Sequence, residues 1–231
     1  MSIDKSLERR PRIGVYIEGK PDDEKQSQHI INLMKALQSC TAACGEKYDI
    51  YVYSSKKKWK KYSKDCMLTY RPFPISGSSN PLGGMLVGKD ASCPKPPDWV
   101  CEMLNRKSDD FKLELMIFAT PTSLVKNYKL PCIAVLDGMV ADEGSEYDAE
   151  WYKDLYQTVL EHADLAIVDP TEDVDQLLES LVAGIEKPAE VKRLSLEEAS
   201  EAEGETEDVA DAQQLEDELS SILIHMLAKH R

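Results

Sequence analysis

Three short apolar runs constrain this chain more than anything else in it. Leu113–Phe118 (LELMIF), Cys132–Leu136 (CIAVL) and Leu165–Val168 (LAIV) are almost uninterrupted by polar residues. A strand with one wet face alternates apolar and polar positions. A run that is apolar nearly throughout is the pattern of a parallel strand covered on both faces. Parallel neighbours cannot be joined by a tight turn, so the chain between them crosses over, usually as a helix. EYDAEWYKDLYQTVLEHA, between the second and third runs, has that helical character. Thr171–Gly184 supplies another helix after the third, with Asp169 or Thr171 as its cap and Gly184 as its stop.

The first half follows the same alternation. Arg12–Glu18 (RIGVYIE) is a β-branched run ending at Gly19. Asp22–Cys40 places Ile30, Ile31, Leu33, Met34 and Leu37 on one helical face. Asp49–Tyr53 (DIYVY) is a second strand and Met67–Tyr70 (MLTY) a short third. Residues 76–97 are rich in Gly, Pro and Ser and read as a long loop, and Pro97 opens a short helix through Leu104. The expectation is an α/β fold: a single doubly wound, mostly parallel, Rossmann-like sheet over 11–185, after a flexible N-terminus at 1–10.

Charge divides the chain again. The net charge is −14, and Glu186–Arg231 holds 13 acidic against 5 basic residues. The stretch EEASEAEGETEDVADAQ has almost no apolar periodicity and cannot bury enough surface to offset its ordering entropy. Residues 186–212 are therefore expected to be an unstructured acidic linker. Beyond it, Leu215, Leu219, Ile222, Leu223, Met226 and Leu227 recur at spacings of three and four, which predicts an amphipathic helix over 213–231. Such a helix docks on its own domain or on a partner.

Composition also excludes classes. The acidity argues against a general nucleic-acid binder, because neutralising phosphates needs an excess of Lys and Arg. No apolar run approaches the ~20 residues of a membrane-spanning helix. MSIDKSLERRPR lacks the apolar core of a secretory signal. The expectation is a cytoplasmic chain, at most peripheral to a membrane. The six cysteines then read as free thiols, with Cys132 in the core. Cys40 and Cys44 lie near a helix end, and without a CxxC pair or clustered histidines no metal site is expected.

In a doubly wound sheet, ligands bind at the carboxyl ends of the strands. The residues there are Gly19 and Lys20 after the first strand, Thr120, Thr122 and Ser123 after the LELMIF strand, and Asp137 and Gly138 after CIAVL. Gly19 and Lys20 either hold an anion with the following helix amides or form a plain strand-to-helix turn. IEGKPDD is not GxGxxG, and no GxxxxGK[ST] occurs. Asp137 is the candidate catalytic group: a carboxylate at a strand end, followed by glycine, serves as a base or holds a sugar hydroxyl, or caps a turn. The hydroxyls of the TPTS segment are ligand contacts or helix caps. His29 and His162 read as helix residues. The run KKKWKKYSK is a solvated helix face, or a surface for phosphate, anionic lipid or nucleic acid.

Taken in order, these pieces resemble the N-terminal, acceptor-side domain of glycosyltransferases of the two-Rossmann-domain (GT-B) type, in particular the retaining sucrose- and glycogen-synthase-like family. RIGVYIEG with HIINLMKAL is similar to that family's first strand and helix, and YDIYVYSSKKKWKK to its second strand and connection. LELMIFATPTSL resembles the strand ending at the acceptor cleft, and LPCIAVLDGMV the strand that usually ends in a His-Asp pair. YQTVLEHADLAIVDPTEDVDQLL resembles the helix and strand before the interdomain linker. The departures are specific. The family's Gly-Gly pair falls at about Glu24 and Lys25, and its histidine at Leu136, with Asp137 kept.

The resemblance implies an acceptor-side half whose nucleotide-sugar donor is held by a separate or missing domain, with no cofactor bound by this chain alone. It implies a sugar or lipid-linked acceptor, and a donor-domain subunit or scaffold partner reached through 213–231. The alternative is a non-catalytic assembly module that retains the fold. A receiver or flavodoxin-like domain fits less well, because paired acids after the first strand and a flavodoxin-type phosphate loop are both missing from the sequence.

Overall fold

The computed structural model describes residues 10–18, 24–43, 45–73, 98–136, 149–168, 178–196 and 207–230. Seven strands form one parallel sheet: β1 (Arg12–Ile17), β2 (Asp49–Ser54), β3 (Thr69–Pro72), β4 (Leu115–Phe118), β5 (Cys132–Leu136), β6 (Leu165–Val168) and β7 (Glu190–Arg193). Their order across the sheet is β3-β2-β1-β4-β5-β6-β7. The helices are α1 (Glu24–Ser39), α2 (Trp59–Asp65), α3 (Asp98–Phe111), α4 (Ala149–His162) and a C-terminal helix (Glu207–Lys229). Further helical residues stand at 178–182.

Every position of β4, β5 and β6 is buried, as their composition requires of strands covered on both sides. One face packs Ile13, Val15, Ile17, Val52, Ile117, Val135 and Ile167 against α1, Trp59 of α2 and the C-terminal helix. The other packs Tyr16, Tyr53, Met116, Phe118, Ala134 and Val168 against α3, α4 and Leu178 and Leu181. This is the doubly wound, Rossmann-like α/β arrangement expected. Its order reverses between β1 and β4, where successive strands are added on opposite sides.

Three expectations are corrected. The domain does not stop at 185: Glu190–Arg193 adds β7, paired parallel to β6, inside the span read as an unstructured linker. Only Val191 of its four residues is apolar, so hydrophobic pattern cannot reveal it. An edge strand with one neighbour is commonly charged, which blunts pairing with other chains. The linker's other end is also structured, since the last helix begins at Glu207, not 213. Third, α3 runs on from Leu104 to Phe111, where Lys112 takes the left-handed conformation at φ 53°. There Leu113 N–H donates to Ser108 O (2.9 Å) and Lys112 N–H to Asp109 O (3.0 Å), a Schellman close.

The C-terminal helix settles where its apolar stripe goes. Leu219, Ile222, Leu223, Met226 and Leu227 are buried in the same core as Leu33, Met34 and Leu37 of α1. His225 Nε2 lies 3.5 Å from Glu190 Oε2, and His230 Nε2 lies 3.5 Å from Asp164 Oδ1. The helices that follow β4, β5 and β6 all cover the opposite face, so this one completes the layer beside α1. Its apolar face is spent on its own domain and is not offered to a partner's groove. Among the described residues no helix is long and apolar enough to cross a membrane.

Candidate functional site at the strand reversal

Gly14, Tyr16 and Glu18 share one face of β1 and its continuation, by the two-residue period of a strand. Glu18 lies just beyond the last paired residue of β1, beside the reversal, and is 5% exposed. Beneath it, Tyr16 packs edge-on to Phe73 (5.8 Å between ring centroids) and Phe118 (5.9 Å). From β4, the chain leads through Ala119 into Thr120 and Thr122, both buried. Glu18 N–H donates to Thr120 Oγ1 (3.2 Å), and Thr122 Oγ1 donates to Glu18 Oε2 (3.4 Å).

Thr122 Oγ1 also accepts from Leu124 N–H (3.4 Å), capping the 3-10 turn Ser123–Asn127. Thr122 thus acts as the cap that is one reading of the TPTS hydroxyls, and its other hydrogen bond goes to Glu18. Ser123 opens that turn and is half-buried. Gly19, Lys20, Asp137 and Gly138 lie outside the described residues, as do Cys44, Cys93 and the loop at 76–97.

The electrostatics of Glu18 follow from this packing. Burial disfavours its charged form and pushes its pKa from 4.5 to about 8. The Thr122 hydrogen bond, the Lys56 charge and Tyr16 pull the other way but do not cancel it. Lys56 follows β2, and its backbone N–H donates to Ser54 Oγ (3.2 Å). The Tyr16 phenol is itself pushed well above its usual range, by burial first and by the Glu18 charge second. Glu18 and the Tyr16 hydroxyl act on each other as a loose hydrogen-bonded pair, and neither Glu18 Oε1 nor the Tyr16 hydroxyl has another close partner. A buried ionisable pair with a strongly shifted carboxyl, at a strand-end crevice, marks a candidate site for a polar group.

By sequence alone Glu18 reads as the last residue of a strand. Its signal is an ionisable residue ending an otherwise apolar run, the same signal that Asp137 gives after CIAVL. What the sequence lacked was the strand order, which makes β1 and β4 neighbours.

The thiols are inert by contrast. Cys40, Cys66, Cys101 and Cys132 are free and buried. Burial pushes Cys132 up to about 12 and Cys40 and Cys101 to about 11. Cys132 in β5 is the core residue expected. No metal-binding group of His, Cys, Asp and Glu occurs among the described residues.

A cavity of about 460 Å³ lies along α3, lined by Asp98, Cys101, Asn105, Asp109, Asn127 and Lys129 among others. None of the Glu18 cluster lines it. Asp98, Asp109, Asn127 and Lys129 are exposed, so it is a wet surface groove rather than a converging set of buried polar groups.

No protein-family model matches the chain, and no curated protein does. Among solved structures, a UGT transferase from Siraitia grosvenorii in complex with UDP aligns with a TM-score of 0.47 and 10% identity. It covers 86% of this chain and 54% of its own. UGT73P12 from Glycyrrhiza uralensis, complexed with glycyrrhetinic acid 3-O-monoglucuronide, gives 0.44 and 7% identity over 92% and 54%. An NAD-binding oxidoreductase from Klebsiella pneumoniae gives 0.27 and 8% over 80% and 34%. The chain spans about half the length of the first two. The fold stands on its own strand order, and likeness at this level decides nothing about chemistry.

Proposed function

We propose that this chain is the acceptor-side half of a glycosyltransferase, with Glu18 as the group that takes the proton of the acceptor hydroxyl. The observation that carries the reading is the buried Glu18 carboxyl, set between the Thr122 and Tyr16 hydroxyls at the strand-end crevice. The order of strands and the sequence resemblance over 12–180 support the glycosyl-transfer class.

In this reading an acceptor hydroxyl donates to Glu18 Oε1, and the Tyr16 hydroxyl supplies a second polar contact. The hydroxyl oxygen bonds to the anomeric carbon of a nucleotide-sugar, whose bond to the diphosphate breaks. The proton passes to Glu18, and the diphosphate leaves with the bonding pair. A separate domain holds the donor and stabilises the departing charge. A carboxyl with a pKa of about 8 is a stronger base, once ionised, than an ordinary one, which suits proton abstraction near neutrality. Asp137 and Gly138, next after β5, and Gly19 and Lys20, next after Glu18, are proposed to line the same crevice. The apolar face of the C-terminal helix, buried on its own domain, gives no support to the assembly-module alternative.

Two titrations of the full chain test this. Calorimetry with UDP-glucose and other nucleotide-sugars is expected to show no donor binding by the chain alone. Binding to an array of free glycans and glycosides is expected to identify an acceptor whose affinity falls at least tenfold in Glu18→Gln. Tight binding of a nucleotide-sugar by the chain alone, or acceptor binding indifferent to Glu18, would end the proposal.

A further inference from the structure

The run KKKWKKYSK folds with its tryptophan turned inward. Trp59 is 1% exposed, and Ser63 and Cys66 are buried on the same side of α2. Lys57, Lys58, Lys60, Lys61 and Lys64 stand exposed. From Lys56 to Lys64 there are six lysines and no acidic residue, in a chain of net charge −14.

At the end of α2, past the exposed Asp65, the chain presents an apolar tip. Leu68 N–H donates to Ser63 O (2.8 Å) and Met67 N–H to Lys64 O (2.9 Å), a Schellman turn with Met67 at its left-handed position, φ 53°. Glycine or asparagine ordinarily sits there, because other side chains crowd the following carbonyl. Met67 is also 76% exposed, against 43% for Trp99, the other large apolar side chain left exposed among the described residues. The fold gains little burial from this side chain and carries its backbone cost.

We infer that this face of α2 docks on an anionic lipid bilayer, with the lysines meeting headgroup phosphates and Met67 entering the acyl boundary. Basic residues and an apolar anchor are separately weak attachments to a membrane and together form a reversible one. Lysine stems let the ammonium groups stay at the surface while the tip inserts. Single-stranded nucleic acid fits less well: it needs aromatic faces on which bases stack, and Trp59 is packed into the core. The patch begins at Lys56, which follows β2 and whose charge acts on Glu18, so it adjoins the strand-end crevice. The inference stands without the proposed sugar transfer.

The test is co-sedimentation of the full chain with vesicles of phosphatidylcholine, alone or with about 30% phosphatidylglycerol. Binding is expected to the second only, and to fade as salt rises. Each lysine near an anionic surface is worth roughly fivefold, so replacing Lys60, Lys61 and Lys64 together by Gln lowers binding on the order of a hundredfold. Met67→Asn lowers it about tenfold through lost apolar burial. Its thermal midpoint holds or rises, because asparagine suits the left-handed position. Equal binding to both vesicles, or binding unchanged in both variants, overturns the inference. So does preference for a single-stranded oligonucleotide over anionic vesicles.

Discussion

At the scale of one residue, Glu18 binds its proton more tightly folded than unfolded. The unfolded carboxyl loses it near 4.5, the folded one near 8. Between these values the native state holds the extra proton, so stability falls as pH rises. The stabilising contribution is whole below pH 4.5 and gone above about 8, a difference of roughly 5 kcal/mol at most. Glu18→Gln keeps the shape and removes the titration. Urea unfolding from pH 5 to 8.5 is expected to show a steep loss of stability in the natural chain and a flatter profile in the variant, which becomes the more stable at pH 8.5. Parallel profiles would mean that Glu18 is solvated. None of this was visible in RIGVYIE, because the cause of the shift is burial, completed by segments remote in sequence such as Thr120 and Thr122.

At the scale of an element, β1 is fitted to β4 through Gly14. The two are register partners at Gly14 and Met116. A Cβ on Gly14 would lie 2.7 Å from Met116 Cε and 2.8 Å from Leu113 Cδ1. Both are ends of flexible side chains, so the strand pair survives while the core repacks. Gly14→Ala is expected to cost about 1–3 kcal/mol in denaturant unfolding without altering the circular dichroism spectrum. A neutral result would show that Met116 moves aside freely. The edge strands are held differently. β3 and β7 expose charged and proline positions, including Pro72, Lys192 and Arg193, which keeps a seven-stranded sheet from pairing edge to edge.

At the scale of the molecule, the last helix is part of the domain. Leu223 is fully buried against the core that contains α1, and Leu223→Ala is expected to cost about 2–5 kcal/mol. A helix held out for a partner would leave unfolding of the isolated chain unchanged, which makes the urea midpoint of this variant decisive. Its contacts run from the end of α1 to an edge of the sheet: Cys40 Sγ lies 3.7 Å from Glu216 O, and His225 Nε2 lies 3.5 Å from Glu190 Oε2 at the start of β7. The acidic segment between β7 and this helix therefore joins two docked elements.

Local composition alone determined the layered α/β class, the strands β4, β5 and β6, the amphipathic stripe of the C-terminal helix and the core position of Cys132. Burial on both faces leaves an apolar run, burial on one leaves a period, and both are written in neighbouring residues. Tertiary structure decided the rest. β7 is a strand because β6 offers it an edge, although its own residues are mostly charged. The C-terminal stripe faces α1 because the helices after β4, β5 and β6 leave that side of the sheet open. Glu18 became the central residue of the candidate site because strand order sets it against Thr120 and Thr122, more than a hundred residues away along the chain. Its chemistry depends on a low-dielectric surrounding that exists only once those distant segments are packed together.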